Sequence, residues 1–278
     1  VRTESIRASS FATLLDCSYM WEGIFILGMT KGANGRMHLG TSLHASTAIM
    51  DQAKKDGSPL VSGDVDTVFY EIFDKPEYDV DWKHDDLNKT QAESIGLNLN
   101  AKYFKDYSQT MTFSEVEKQI DSVIIEVPKY EIAIELTGKM DRSRTVISEW
   151  QVEGEEQKTS HGIVDLKFGK MAVNTDGVAT TKGHAAQIGV YELLEDMTSD
   201  YTVDMPARII GMQTTKSARI GEGTIHNAKE RLLGNENFTG YIEMAASILK
   251  SGIFIPNSRS MLCDKRYCPR FEVCPYHE

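Results

Sequence analysis

Asp165 and Lys167 stand two residues apart in the run Gly162-Ile163-Val164-Asp165-Leu166-Lys167-Phe168-Gly169-Lys170. Ile163, Val164, Leu166 and Phe168 are strand formers, and Gly169 ends the run. In a strand, residues two apart share a face. A carboxylate and an ammonium are therefore aimed together from an otherwise apolar element. Burying them is costly unless they are paired or used. Two uses are open. One is an ion pair on an edge strand. The other is a carboxylate that ligates a metal, beside a lysine that positions water or offsets charge at a reacting phosphate. Asp-x-Lys alone does not choose between them.

The cysteines are a second constellation. Cys17 stands alone near the start, and Cys263, Cys268 and Cys274 form C-x4-C-x5-C at the end. Two disulfides are disfavoured in a large chain with no extracellular signature. Four thiolates then suggest a metal centre. Structural zinc sites usually come as two C-x2-C knuckles. Iron–sulfur clusters tolerate wider spacing, and the Cys268-Pro269 and Cys274-Pro275 pairs suit them. Iron–sulfur is the favoured occupant and zinc the alternative. Either would tie the first helix to the tail across the whole chain.

These residues need elements to hold them. Ser9 to Cys17 reads as a helix start with a Ser cap. Lys31 to Gly40 reads as a loop and Thr41 to Met50 as a helix, which puts His44 one turn above its entrance. A lone His there matters only if the fold brings it to Asp165. Helices are expected over 65–73 and 89–105, on either side of an acidic loop from Asp74 to Asp86. The alternation in Val116–Val123 and Tyr130–Leu136 predicts two antiparallel strands, the second running on to Asp141 at its end. A strand over Val146–Trp150 and a polar turn at 153–156 lead to the strand of Asp165. A helix from His184 to Leu194 places Gln187 and Tyr191 on one face. Pro206 opens a strand over 207–213, and a helix spans 237–250. That order predicts an α/β fold with a mixed central sheet covered by helices on both faces.

The chain has 278 residues, 41% apolar and 26% charged, which suits one sizeable α/β domain. No apolar run is long enough to span a bilayer. With no basic segment and apolar core at the start, a cytoplasmic setting is expected. A net charge of -11 argues against nucleic acid binding over the whole surface. It leaves room for a local basic groove, because Lys139, Arg142, Arg144, Lys167, Lys170, Lys182, Lys216 and Arg219 gather around the central strand.

Taken together, the motifs resemble the PD-(D/E)XK nuclease superfamily. They are most similar to its RecB-like and AddB-like branch with an iron–sulfur staple, which includes CRISPR-associated iron–sulfur exonucleases and phage exonucleases. The order is a lone Cys17, G-x-x-x-H at Gly40 and His44, and G-x-x-D at Gly138 and Asp141. D-x-K at Asp165 and Lys167, Q-x-x-x-Y at Gln187 and Tyr191, and three terminal cysteines follow. Each is weak alone; the order is specific. The resemblance implies a restriction-endonuclease-like domain over 1–278. Within it, 1–30 and 252–278 form a staple around a [4Fe-4S] cluster, 31–112 is helical and 113–251 is the catalytic core.

The resemblance also implies roles. His44, Asp141, Asp165 and the Leu166 carbonyl hold Mg2+ or Mn2+. Asp141, Asp165 and Lys167 are catalytic, with Lys167 orienting the attacking water. Gln187 and Tyr191 line the path of the DNA. The implied activity is exonucleolytic hydrolysis of DNA from free ends, in recombination, repair or phage DNA processing. Partners of such enzymes include further copies of the chain and recombination helicases. The alternative is a DNA-binding accessory protein that does not cleave. Two positions depart from the pattern: Asp165 stands where Glu is frequent, and C-x4-C stands where relatives often have C-x2-C.

Overall fold

A computed structural model of the chain describes residues 2–83, 85–147 and 158–277. In chain order the first elements are β1 (Arg2–Arg7), α1 (Ala8–Asp16), α2 (Ser18–Phe25), α3 (Gly35–Lys55), α4 (Ser62–Phe73) and α5 (Lys89–Tyr103). Then come β2 (Phe113–Val127), β3 (Ile132–Ile147), β4 (Thr159–Gly169), α6 (Ala185–Thr198), β5 (Ala207–Gln213), β6 (Ile220–Ile225), α7 (Ala228–Leu233) and α8 (Tyr241–Ser251).

β3 is the strand the sheet is built on. Pro128 ends β2, Glu131 takes a left-handed conformation (φ 52°), and the chain returns as β3, antiparallel to β2 along nearly its whole length. The other edge of β3 is shared. β1 lies parallel to residues 132–137, and β4 lies antiparallel to residues 142–147. β5 then pairs parallel with β4, and β6 antiparallel with β5. The result is a six-stranded mixed sheet.

Two apolar layers cover it. Ile134, Leu136, Ile163 and Ile209 pack with α1, α6 and α8, through residues such as Phe11, Ile188 and Ala246. Val164, Leu166, Ile210 and Met212 pack on the other face with α3, α4 and α5, through Leu43, Phe69 and Leu99. The α/β sandwich therefore stands as expected. No helix among the described residues is long and apolar enough to cross a membrane.

Several boundaries differ from expectation, each for a local reason. α3 begins at Gly35, not Thr41, because the Asn34 side chain accepts from Met37 N at 2.9 Å. The glycines that suggested a loop serve contact instead: a Cβ on Gly35 would lie 2.4 Å from the Trp82 ring. Ser9 and Ser10 do not cap α1; Arg7 holds that position, and Ser10 Oγ donates to its carbonyl at 2.9 Å. α8 starts at Tyr241, after Gly240, not at Asn237. Val146 and Ile147 continue β3 without a break, whereas 148–150 and the turn expected at 153–156 lie outside the described residues. Asp141 is therefore inside a long strand and not at its end.

No local sequence pattern marks β1, α2, β6 or α7. β1 buries only Ile6 among polar neighbours. β6 carries Gly221 and Gly223, which look like breakers. A Cβ on Gly221 would lie 2.3 Å from the Gly177 carbonyl, so glycine there permits a backbone approach.

Glu192 gives the fold a pH dependence remote from the sheet's chemistry. It is buried on α6, and its carboxylate accepts from Lys229 N at 2.9 Å, near the start of α7. Burial pushes its pKa up from 4.5 to about 7; the Lys229 amide and ammonium pull it down, and Asp196 adds to the rise. Between those pH values the native state holds a proton that the unfolded chain has lost. Stability therefore falls as pH rises through this window. Glu192→Gln should flatten the slope by roughly 1–3 kcal/mol. Urea unfolding at both ends of the window checks it; an unchanged slope would count against the assignment.

Candidate active site

The sheet forks where the motif residues meet. β4 pairs with β3 only as far as Val164, opposite Arg142, and then continues along β5 alone. β1 leaves β3 after Thr137. Residues 138–141 of β3 thus have neither neighbour on that edge. Asp141 and Asp165 are the next positions in the broken register and flank the fork. The Leu166 amide, freed from the ladder, donates to Asp141 Oδ2 at 2.8 Å. The in–out alternation also slips here. Met140 joins the core on the α6 side, yet Arg142, two residues on, turns to α3.

The two motif glycines set the approach of the flanking helices. A Cβ on Gly138 would lie 2.9 Å from the Tyr191 ring, so glycine admits α6. A Cβ on Gly40 would lie 3.4 Å from Phe168 Cβ, so α3 can rest on the end of β4. One turn later His44 points into the fork, its ring edge-on to Phe168 at 6.1 Å.

His44, Glu117 and Asp141 form one group whose ligand atoms all lie within 4.8 Å of one another. His44 Nε2 is 3.1 Å from Asp141 Oδ1 and 3.5 Å from Glu117 Oε1. The remaining oxygens are held from outside. Leu166 N takes Asp141 Oδ2, and Lys139 Nζ takes Glu117 Oε2 at 2.8 Å. Arg142 Nη1 also donates to Glu117 Oε1, at 2.8 Å. Such outer bonds fix the direction of a ligating carboxylate. Burial opposes charge on His44, but the hydrogen bond and charge of Asp141, with the charge of Glu117, raise its pKa above the ordinary value. Burial likewise opposes charge on Asp141; His44, Lys167 and the Leu166 amide outweigh it and hold this carboxyl low.

Asp165 stands beside this group, outside the 4.8 Å set. It is fully buried, and Lys167 Nζ approaches its Oδ2 to 2.6 Å. That approach is off hydrogen-bond direction, so Oδ2 has an ionic partner but no donor. Gln187 spans the pair: Nε2 reaches Asp165 Oδ1 at 3.3 Å, and Oε1 accepts from Lys167 at 2.9 Å. Burial pushes the Asp165 pKa up to about 6, against the pull of Lys167 and with Asp141 adding to the rise. Tyr191 is buried behind Gln187, and its hydroxyl donates to the Lys139 carbonyl at 2.9 Å. The structure thus places Gln187 beside the Asp165–Lys167 pair and Tyr191 buried behind it.

Sequence reasoning missed Glu117 and Asp51, and it counted Arg142 only among the basic residues of a local groove. Glu117 adopts φ 52° in β2 and sits across from Asp141, between the pairs Val116–Arg142 and Lys118–Met140. Only the hairpin register could have exposed it. Arg142 is fully buried; its Nε donates to Asp51 Oδ2 at 2.6 Å, and Tyr103 and Ser108 hydroxyls each donate to Asp51 at 2.6 Å.

At the far end of α1, Cys17, Cys263, Cys268 and Cys274 line one small cavity with Tyr19, Met20 and Phe271. None is in a disulfide. Burial, and then the other thiols' charges, raise the pKa of Cys263 and Cys268. No three of the four sulfurs lie within 4.8 Å of one another. A tetrahedral zinc with Zn–S bonds of about 2.3 Å sets its sulfurs about 3.8 Å apart. The tail is docked by Arg270, whose Nη2 donates to Glu22 at 2.7 Å and whose side chain fills the space above Gly23.

No protein-family model matches the chain, and no curated protein matches it. Among solved structures it resembles the crystal structure of a Eubacterium rectale protein described provisionally as an exonuclease. The two share 14% identity over 94% of this chain and 87% of that one, with a TM-score of 0.50. At that identity the likeness shows a shared fold.

Proposed function

We propose that this chain is a metal-dependent DNA nuclease of the PD-(D/E)XK type, from the RecB-like branch, acting as an exonuclease at free ends. The observation that carries the proposal is the meeting of His44, Glu117 and Asp141 next to the Asp165–Lys167 pair in the fork. A fold shared with the Eubacterium rectale protein supports it.

The donor set fits a hard divalent cation. Two carboxylate oxygens and one imidazole nitrogen converge, and the outer oxygen of each carboxylate is already held. His44, Glu117 and Asp141 would hold Mg2+ or Mn2+, with Asp165 and the Leu166 carbonyl at the edge of the site. The imidazole favours Mn2+ in relative terms. A bound cation would supply charge neutralisation at the scissile phosphate and a more acidic water.

The chain's own groups do the rest. Lys167, steadied by Asp165 and Gln187, donates to the attacking water and offsets the negative charge that develops on the phosphate oxygens. The water oxygen forms the new P–O bond, the old ester bond breaks, and the water proton passes to the leaving oxygen. Asp165 anchors the lysine and contributes charge across the fork.

The thiol cavity fits a metal centre as well: four unpaired thiols line one cavity, and a bound cation would stabilise their thiolates. The wide sulfur spacing favours a [4Fe-4S] cluster over a single zinc. Its role is structural. Cys17 follows α1, and Cys263 to Cys274 lie in the tail, so the centre joins segments some 250 residues apart. Cys268→Ser should lose iron and sulfide and destabilise the fold by on the order of 3 kcal/mol, the scale of a cross-link closing a long loop. Iron and sulfide assay with thermal unfolding, on anaerobically purified protein, checks this. A colourless wild type holding stoichiometric zinc would sink the cluster.

The function is tested with end-labelled linear and circular DNA, single- and double-stranded, in Mg2+ and Mn2+. Release of nucleotides from linear DNA alone is expected. Cutting of circles would replace the exonuclease by an endonuclease. End binding without cleavage in either ion would favour the accessory protein.

A further inference from the structure

A groove of about 930 Å³ opens beside Lys167 and Gln187. One wall is α1; the other is the turn before α6, the end of β6 and the side of α7. Lys182 and Arg231 line it, both exposed and without an acidic partner among the described residues. Of the other basic residues near the sheet, Arg144, Lys216 and Arg219 also show no acidic partner among the described residues, but they lie outside this groove, and the rest are paired. Lys139 is paired with Glu117, Arg142 with Asp51, Lys167 with Asp165 and Lys170 with Asp86. In a chain of net charge -11, two free cations sharing one cavity are a local exception.

The polar character of the groove agrees. The acidic residue in its wall, Asp16, is occupied: its Oδ1 accepts from Asn257 at 2.9 Å. His184 is kept neutral, with its pKa lowered to about 4 by burial and by Lys167, and offers its ring without adding charge. His226 and Tyr241 supply further rings against which bases can stack. Free cations with flat rings along one channel suit a single nucleic acid strand.

We propose that this groove seats a short run of single-stranded DNA next to the scissile bond, with Lys182 and Arg231 contacting its phosphates. The proposal rests on the nuclease reading above and adds the strand's path and its single-stranded state.

The test is equilibrium binding of a labelled oligothymidylate in Ca2+ across a salt series. Lys182→Ala with Arg231→Ala should weaken binding about tenfold or more and lower the salt slope by about 1.4, the value for two lost contacts on single strands. The charge-matched control is Lys75→Ala with Lys105→Ala, both exposed and neither lining the groove. It should bind as wild type does, and the swap Lys182→Arg with Arg231→Lys should bind nearly as well. Thermal unfolding should show all three folded. If the groove variant binds as wild type, or the control weakens equally, the proposal fails while the nuclease reading stands. Weakening confined to duplex DNA would also overturn it. A wild type that neither binds nor cuts DNA overturns the nuclease reading itself.

Discussion

Asp165→Asn protein should fold normally and lose metal-dependent DNA cleavage by at least about a thousandfold. The fold should tolerate the change because burial already disfavours the charge, raising the pKa to about 6. Asn keeps an oxygen for Gln187 Nε2, 3.3 Å from Oδ1 in the native protein. Lys167, with its side chain 23% exposed, can turn to water when its partner goes. Cleavage should not survive, since the lysine loses the carboxylate that aims it and the fork loses a negative charge beside its ligand group. Rates on end-labelled DNA, with thermal unfolding as the folding control, decide the matter. Undiminished cleavage by this variant would remove the basis of the proposed activity.

Arg142→Met should have the largest effect on stability. The pair Arg142–Asp51 has both side chains at 0% exposure. Removing the guanidinium leaves the Asp51 carboxylate buried with only the hydroxyls of Tyr103 and Ser108. Breaking a buried pair from one side costs about 3–5 kcal/mol, whereas replacing both partners with apolar groups is far better tolerated. Arg142→Met with Asp51→Leu should therefore recover much of the lost stability. Cleavage should stay low in the double variant, because Glu117 Oε1 still lacks the Arg142 donor at 2.8 Å. Urea unfolding and cleavage rates measured on the same set separate the two effects. A loss below about 1 kcal/mol for Arg142→Met would show that the pair does not anchor the site.

The sequence and the structure agree where the code is local. The run of strand formers around Asp165 and Lys167 marks β4, and the helices expected over 65–73, 89–105 and 184–194 stand as α4, α5 and α6 within a few residues. Glycines that look like breakers misled. Gly35 and Gly40 lie inside α3, where they admit Trp82 and Phe168, and Gly221 lies inside β6 against the Gly177 carbonyl. In each case the reason for glycine is a neighbour far along the chain, which local spacing does not reveal.

The sequence by itself determined the residue types for the chemistry and their order: His44, Asp141, Asp165, Lys167, Gln187 and the four cysteines. Only the tertiary structure decided which of them meet. It brought in Glu117, set Asp165 with Lys167 instead of with His44, and put Tyr191 behind the site. The physical reason is register. Glu117 reaches Asp141 because the pairing of β2 with β3 shifts register between Ile120 and Val123, and a slip of one residue sends a side chain to the other face. The alternation of strand residues reads the same on either side of such a shift, so no short stretch of sequence carries it.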